Sequence, residues 1–162
     1  MAETLGVGDM LPNKFEPKRK FRWVFAIEGI DAFLMKSANR PSVTIGEQTL
    51  EYINSKRYLA GKMTYETISV TLYDPIAPSG AQQVMEWVRT HTESVSGRSG
   101  YADFYKRDCQ LKMLDPVGTV VELWDMKGCF ITSANFNDLD YGADDPVEIS
   151  LTIRYDNCIL QY

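Results

Sequence analysis

Near the end of the chain, Val147, Ile149, Leu151, Ile153 and Tyr155 alternate with Glu148, Ser150, Thr152, Arg154 and Asp156. A spacing of two puts the first set on one side of an extended backbone and the second on the other, which makes a strand with one buried face. The same period recurs earlier. From Lys18 onward, Phe21, Trp23, Phe25 and Ile27 share a face against Lys20 and Arg22, and within 63–73 Ile68, Val70 and Leu72 alternate with Thr67, Ser69 and Thr71. Further strands are expected over 31–38, over 43–53 with a bulge at Gly46, and over 128–136. A hairpin of 107–114 and 119–126 is expected around the turn Asp115-Pro116-Val117-Gly118. One helix interrupts the series. Ser79 and Gln82 have capping-box spacing, Val84, Trp87, Val88 and His91 fall at i, i+3, i+4 and i+7, and the helix should stop near Ser96-Gly97.

Seven or eight strands with one helix do not alternate as βαβ units. The expected fold is therefore mainly β, an antiparallel β-sandwich or barrel with one flanking α-helix. A length of 162 residues suits one domain. Residues 1–17, MAETLGVGDMLPNKFEP, lack periodicity and read as an N-terminal arm, leaving 18–162 as a single β domain. Open antiparallel sheets present unpaired edges that must be covered, charged or paired with another chain.

Charge and motif content narrow the function classes. With 17 basic and 22 acidic residues the net charge is −5, which argues against a protein that grips nucleic acid through a basic face. No apolar run approaches the roughly 20 residues that cross a bilayer. The N-terminus lacks a signal pattern, so synthesis in the cytosol without a membrane anchor is expected. Cys109, Cys129 and Cys158 are odd in number and lack CxxC spacing, so packed thiols are expected rather than zinc ligands. His91 lies on the helix's apolar stripe, GxSxG, Walker and GxGxxG motifs are missing, and Ser96–Gly100 reads as a flexible connection. No enzyme activity, metal or cofactor is expected. Asp138, Asp140 and Asp144 occupy the first, third and seventh positions of a calcium loop, but Ala143 stands where glycine is needed and Ile149 where the bidentate glutamate belongs. That stretch reads as a solvated acidic loop. The run Lys18-Arg19-Lys20 reads as a solvated edge or a subunit contact.

The segment Asn54-Ser55-Lys56-Arg57-Tyr58-Leu59-Ala60-Gly61-Lys62 reads as a linker between two strands, rich in basic and aromatic residues. Composition alone leaves a plain surface loop and a contact surface equally open. Its surroundings carry a resemblance: the proline after a short strand pair, the NxKR stretch, the AG, a strand ending in aspartate, and a tryptophan-bearing helix. With the closing stretch MKGCFITSANFNDLDYGADDPVEISLTIRYD, this pattern resembles the tail tube proteins of contractile-tailed bacteriophages, from Arg40 to Asp156 apart from 94–125. The family is related to the inner-tube proteins of type VI secretion and other contractile injection systems. The N-terminal arm and the GYADFY stretch depart from a minimal tube subunit.

The resemblance implies a structural subunit of the virion tail, assembled in the bacterial host cytoplasm. Homohexameric rings would stack into a hollow tube inside a contractile sheath and pass DNA without binding it specifically. Its partners would be the tail sheath protein and the baseplate, tape-measure and tail-terminator proteins. Ring stacking is expected to use Asn54, Lys56, Arg57, Tyr58 and Lys62 from the linker, which should project from one end of the barrel, against Asp138, Asp140, Asp144 and Asp145. By the same resemblance Glu47, Glu51, Glu122 and Asp125 are expected to face the channel. The alternatives are the inner tube of a bacterial contractile injection or secretion system and, from another class, a ligand-binding β-sandwich module.

Overall fold

The alternation becomes burial where the period is strictest. Ile149, Leu151 and Ile153 point into the core from a strand spanning Glu148–Arg154, and Tyr155 follows them inward. The computed structural model describes residues 6–10 and 14–162. Of the arm expected over 1–17, residues 1–5 and 11–13 lie outside the described residues. In chain order the elements are α1 (Val7–Met10), β1 (Trp23–Ile27), a 3-10 turn (Ala32–Leu34), β2 (Met35–Ala38), β3 (Val43–Tyr52), β4 (Ser55–Tyr65) and β5 (Ile68–Tyr73). They continue with α2 (Gly80–His91), α3 (Ala102–Tyr105), β6 (Arg107–Leu114), β7 (Val120–Asn135), β8 (Glu148–Arg154) and β9 (Asn157–Leu160).

All pairings are antiparallel, and β7 belongs to two sheets. Its first half lies between β6 and β9, with β1 beyond β6; its second half pairs with β8, followed by β5 and β2. The strand turns this corner at Gly128, which takes φ +67°, a region glycine enters without the Cβ penalty. Inward side chains of both sheets, among them Phe25, Leu111 and Met126 against Val70, Leu72 and Leu151, form one hydrophobic core. The terminal strands of this path, β1 and β2, do not pair with each other. The fold is thus a mainly-β sandwich with one principal helix, and the barrel reading is corrected: the path stays open between β1 and β2.

Helix α2 starts where Ser79 accepts from the Gln82 N–H, and it buries Val84 and Trp87. The Trp87 indole donates to the Tyr105 carbonyl at 2.7 Å, while the Arg107 guanidinium lies over its ring. The helix ends at His91 rather than near Ser96, because the chain folds back through a Thr92–Ser99 bridge. His91 is exposed, not buried on the stripe, with its ring edge-on to Tyr105. Cys109, Cys129 and Cys158 are buried thiols. A hydrogen bond with Cys129 and burial push Cys109 up, and burial pushes Cys158 up to about 11, so both favour the neutral, inert form.

Other expectations shift. The strand over 31–38 begins as the 3-10 turn, and the segment 63–73 breaks at Glu66-Thr67 into the ends of β4 and β5. The strands over 119–126 and 128–136 are one strand, β7. The linker over 54–62 is largely β4.

Candidate assembly surface

Strands β3 and β4 form a hairpin of their own, outside the sandwich sheets. Tyr52 pairs with Ser55, which leaves Ile53 and Asn54 as a two-residue turn. The register shifts between Ile45 and Glu47, placing the bulge opposite Gly46 as the sequence indicates. Because the extra residue is on β4, Val43, Ile45, Met63 and Tyr65 share one face near the root. Toward the tip that face carries Glu47, Thr49, Glu51, Tyr58 and Lys56.

Nothing among the described residues covers this ribbon. Every residue of β3 and β4 is exposed except Leu50 and Tyr65, which are half-buried. Tyr65 anchors the root against Tyr155, with ring centroids 5.7 Å apart. Val43, Ile45 and Met63 remain more than half exposed beside it, and Ile53 at the tip is fully exposed. A two-stranded ribbon is marginal in water on its own, and apolar side chains on both faces deepen that deficit.

Asn54 sits in the turn, and Lys56, Arg57, Tyr58 and Lys62 stand along β4. Lys56 reaches Glu51 at 3.6 Å, whereas Arg57 and Lys62 have no ion pair among the described residues. The loop between β7 and β8 carries Asp138, Asp140, Asp144 and Asp145, all exposed and outside any ion pair among the described residues. It is shaped locally: the Asp140 carboxylate accepts the Gly142 N–H, and the Asn137 amide donates to the Glu148 carbonyl, both at 2.9 Å. Leu139 and Tyr141 project from it into solvent. With Lys36 and Tyr73 the loop borders an open cleft of about 890 Å³.

The two charged elements leave opposite ends of one sheet. The hairpin root joins β5 at Ile68, which pairs with Ile153 at the end of β8, while the acidic loop enters β8 at Glu148, opposite Tyr73 at the other end of β5. The root of the hairpin and the entry of the acidic loop are therefore about a strand length, ~20 Å, apart within one subunit. They do not meet in the same chain.

Comparison with known proteins places this geometry. No family model and no curated protein matches the chain. Solved structures do. A chain of the anti-feeding prophage cap, titled as its tube terminating cap, superposes with a TM-score of 0.75 at 14% identity, over 97% of this chain and 99% of that one. The fold is shared with tube and cap proteins of contractile injection systems. A chain from the sheath/tube terminator of an extracellular contractile injection system, PVC, gives 0.69 at 17% identity, over 92% and 99% of the two chains. Hcp1 from Flavobacterium johnsoniae gives 0.52 at 11%, over 87% and 95%. The tube-protein fold thus spans nearly the whole chain, including the 94–125 stretch that carried no sequence resemblance.

Within that fold the four carboxylates expected on a channel wall do not form one surface. Glu47 and Glu51 are exposed on the hairpin, and Asp125 is half-buried with Lys127 at 3.3 Å. Glu122 is 3% exposed and points inward, so it does not line a solvent-filled channel in this subunit. Sequence patterning missed β9 and the 3-10 turn, both too short for a periodic signal. It read Lys18 as part of a solvated edge or a subunit contact, whereas Lys18 pairs with Glu122 within the chain, and it missed Arg40, the other partner that allows Glu122 to be buried.

Proposed function

We propose that this protein is a non-enzymatic structural subunit of a contractile injection machine, forming homohexameric rings that stack into a hollow tube inside a sheath. The observation that carries the reading is the placement of an uncovered, basic, apolar-rooted hairpin and an acidic loop at opposite ends of one sheet. Such a subunit is complementary to a copy of itself displaced along the sheet's strand direction, which is the geometry of an open stack rather than a closed pair. Asn54, Lys56, Arg57, Tyr58 and Lys62 of one ring would meet Asp138, Asp140, Asp144 and Asp145 of the next. Individual exposed ion pairs contribute only ~0–1 kcal/mol, but each ring interface would repeat them around the ring. Residues 18–162 form the tube domain in this reading, with 1–17 as an arm. Glu47, Glu51 and Asp125 stay as channel-wall residues and Glu122 is withdrawn. Sheath, baseplate, tape-measure and terminator proteins are the expected partners.

Two cargoes follow from two settings: DNA for a phage tail and protein for a bacterial injection system. The matching solved structures, which belong to an anti-feeding prophage, an extracellular contractile injection system and type VI secretion, favour the second. No described helix is long and apolar enough to cross a membrane. The test is electron microscopy and sedimentation of the purified chain beside the K56A/R57A/Y58A variant. Rings that stack into tubes, and a variant arrested at rings or monomers, support the reading. A monomer at all concentrations, or a variant that elongates at the wild-type concentration and salt tolerance, rejects it. Assay of purified particles for nuclease-protected DNA separates the two cargoes.

A further inference from the structure

One carboxylate collects cations from two segments that are remote in sequence. Glu122 lies on the inward face of β7, paired across the ladder with Met113, and is 3% exposed. Its Oε2 accepts from the Lys18 ammonium; its Oε1 accepts from Arg40 Nη2 at 2.6 Å and from the Trp124 indole N–H. Lys18 precedes β1, and Arg40 lies between β2 and β3 at the root of the hairpin. Since β1 and β2 are the two unpaired ends of the strand path, this carboxylate bridges the open seam of the sandwich at one end.

A carboxylate removed from water is strongly unfavourable unless each oxygen is paired and hydrogen-bonded. Both oxygens meet that condition only while Lys18 and Arg40 are in place together. Neither cation has another ion pair among the described residues, and each is about half exposed, so both are held where they are by this one partner. Moving either away leaves the buried carboxylate with one cation where it had two, and weakens the arrangement that holds the other segment.

We propose that Glu122 is a positioning residue that couples the segment before β1 to the root of the β3–β4 hairpin, so that displacing one releases the other. The coupling is a property of the subunit. Only its consequence, that the segment before β1 sets the aim of the hairpin, rests on the stacking reading above.

The test is amide hydrogen exchange on the full-length chain at a concentration where it is monomeric, so tube formation is not read and failure of the stacking proposal leaves it interpretable. Lys18→Met is expected to raise exchange at the hairpin root, 42–46 and 63–66, by roughly fivefold or more, although the ion pair of Lys18 is with Glu122 and not with these residues. In the Glu122→Gln background the same substitution should add nothing at the root. Exchange that rises only over 14–22, or changes that simply add in the double variant, overturns the coupling. Should E122Q fail to fold, K18M, R40M and K18M/R40M supply the same cycle. A non-additive response at the root supports the proposal and an additive one overturns it.

Discussion

Gly61 stands against Gly46 across the hairpin so closely that a Cβ on Gly61 would lie 3.0 Å from the Gly46 carbonyl oxygen. The close approach at the bulge therefore depends on the missing side chain of Gly61, whereas a Cβ on Gly46 would come no nearer than 3.6 Å to the Lys62 carbonyl oxygen. Gly61→Val forces the backbones apart and is expected to weaken the hairpin by about 1–2 kcal/mol while leaving the sandwich intact. Hydrogen exchange should rise over 45–49 and 58–63 with the thermal midpoint nearly unchanged. Unaltered protection there would show that the bulge tolerates a side chain.

Ile53 combines two unfavourable choices, a fully exposed apolar side chain and a backbone at φ +42°. A β-branched residue in that region carries strain that asparagine or glycine relieves. Ile53→Asn should therefore steady the hairpin of the isolated subunit by roughly 1 kcal/mol. If the side chain is buried by a neighbouring ring, the same substitution raises the concentration needed for tube growth. Opposite signs in exchange and sedimentation are the expected signature; a gain in both would remove Ile53 from the contact.

Glu122 sets an acid limit. Burial pushes its carboxyl upward, but hydrogen bonds from Lys18, Trp124 and Arg40 outweigh burial and hold it at about 2, below the ordinary 4.5. Because the folded value is the lower one, the ionised group stabilises the fold fully above pH 4.5, and that contribution disappears as pH falls toward 2. It is on the order of 3 kcal/mol. Tryptophan fluorescence during acid titration should report a loss of stability across this window in the wild type, and a shallower one in E122Q.

At the corner of β7 an alanine in place of Gly128 meets two separate penalties. Its φ of +67° disfavours any Cβ, and that Cβ would collide with the Asp156 carboxylate. Gly128→Ala is expected to lower stability by about 2–4 kcal/mol in chemical denaturation. Adding Asp156→Ala should recover the steric share and not the conformational one. Full recovery would mean that the bend itself is unstrained.

Where a face is buried, the sequence announces it: the alternation of β8, the Asp115–Gly118 turn and the Ser79 cap all hold in the structure. The hairpin announces itself poorly because neither of its faces is covered, so β4 has no inward set of apolar residues to generate a period. The strands expected over 119–126 and 128–136 are one strand because Gly128 carries a bend inside it, which the alternation on either side does not reveal. The resemblance puts Glu122 on a channel wall, and the sequence carries no signal to the contrary because the partners that bury it lie 104 and 82 residues away. Such a site has no local signature. The basic residues Lys56, Arg57 and Lys62 and the acidic loop are legible as composition, while their placement on elements that leave opposite ends of a sheet requires the strand order.

The strand shared by both sheets has a consequence for the order of folding. The second half of β7 has no ladder partner until β8 is available, and the β2–β5 pair joins the sheet only through the same strand, with Ile68 paired to Ile153. Such distant pairings close slowly, whereas a two-residue turn lets a hairpin form in about 1–10 μs. A growing chain therefore presents its hairpin long before the acidic end of the sheet exists, and if the two ends join copies as proposed, only finished subunits carry both halves of the joint.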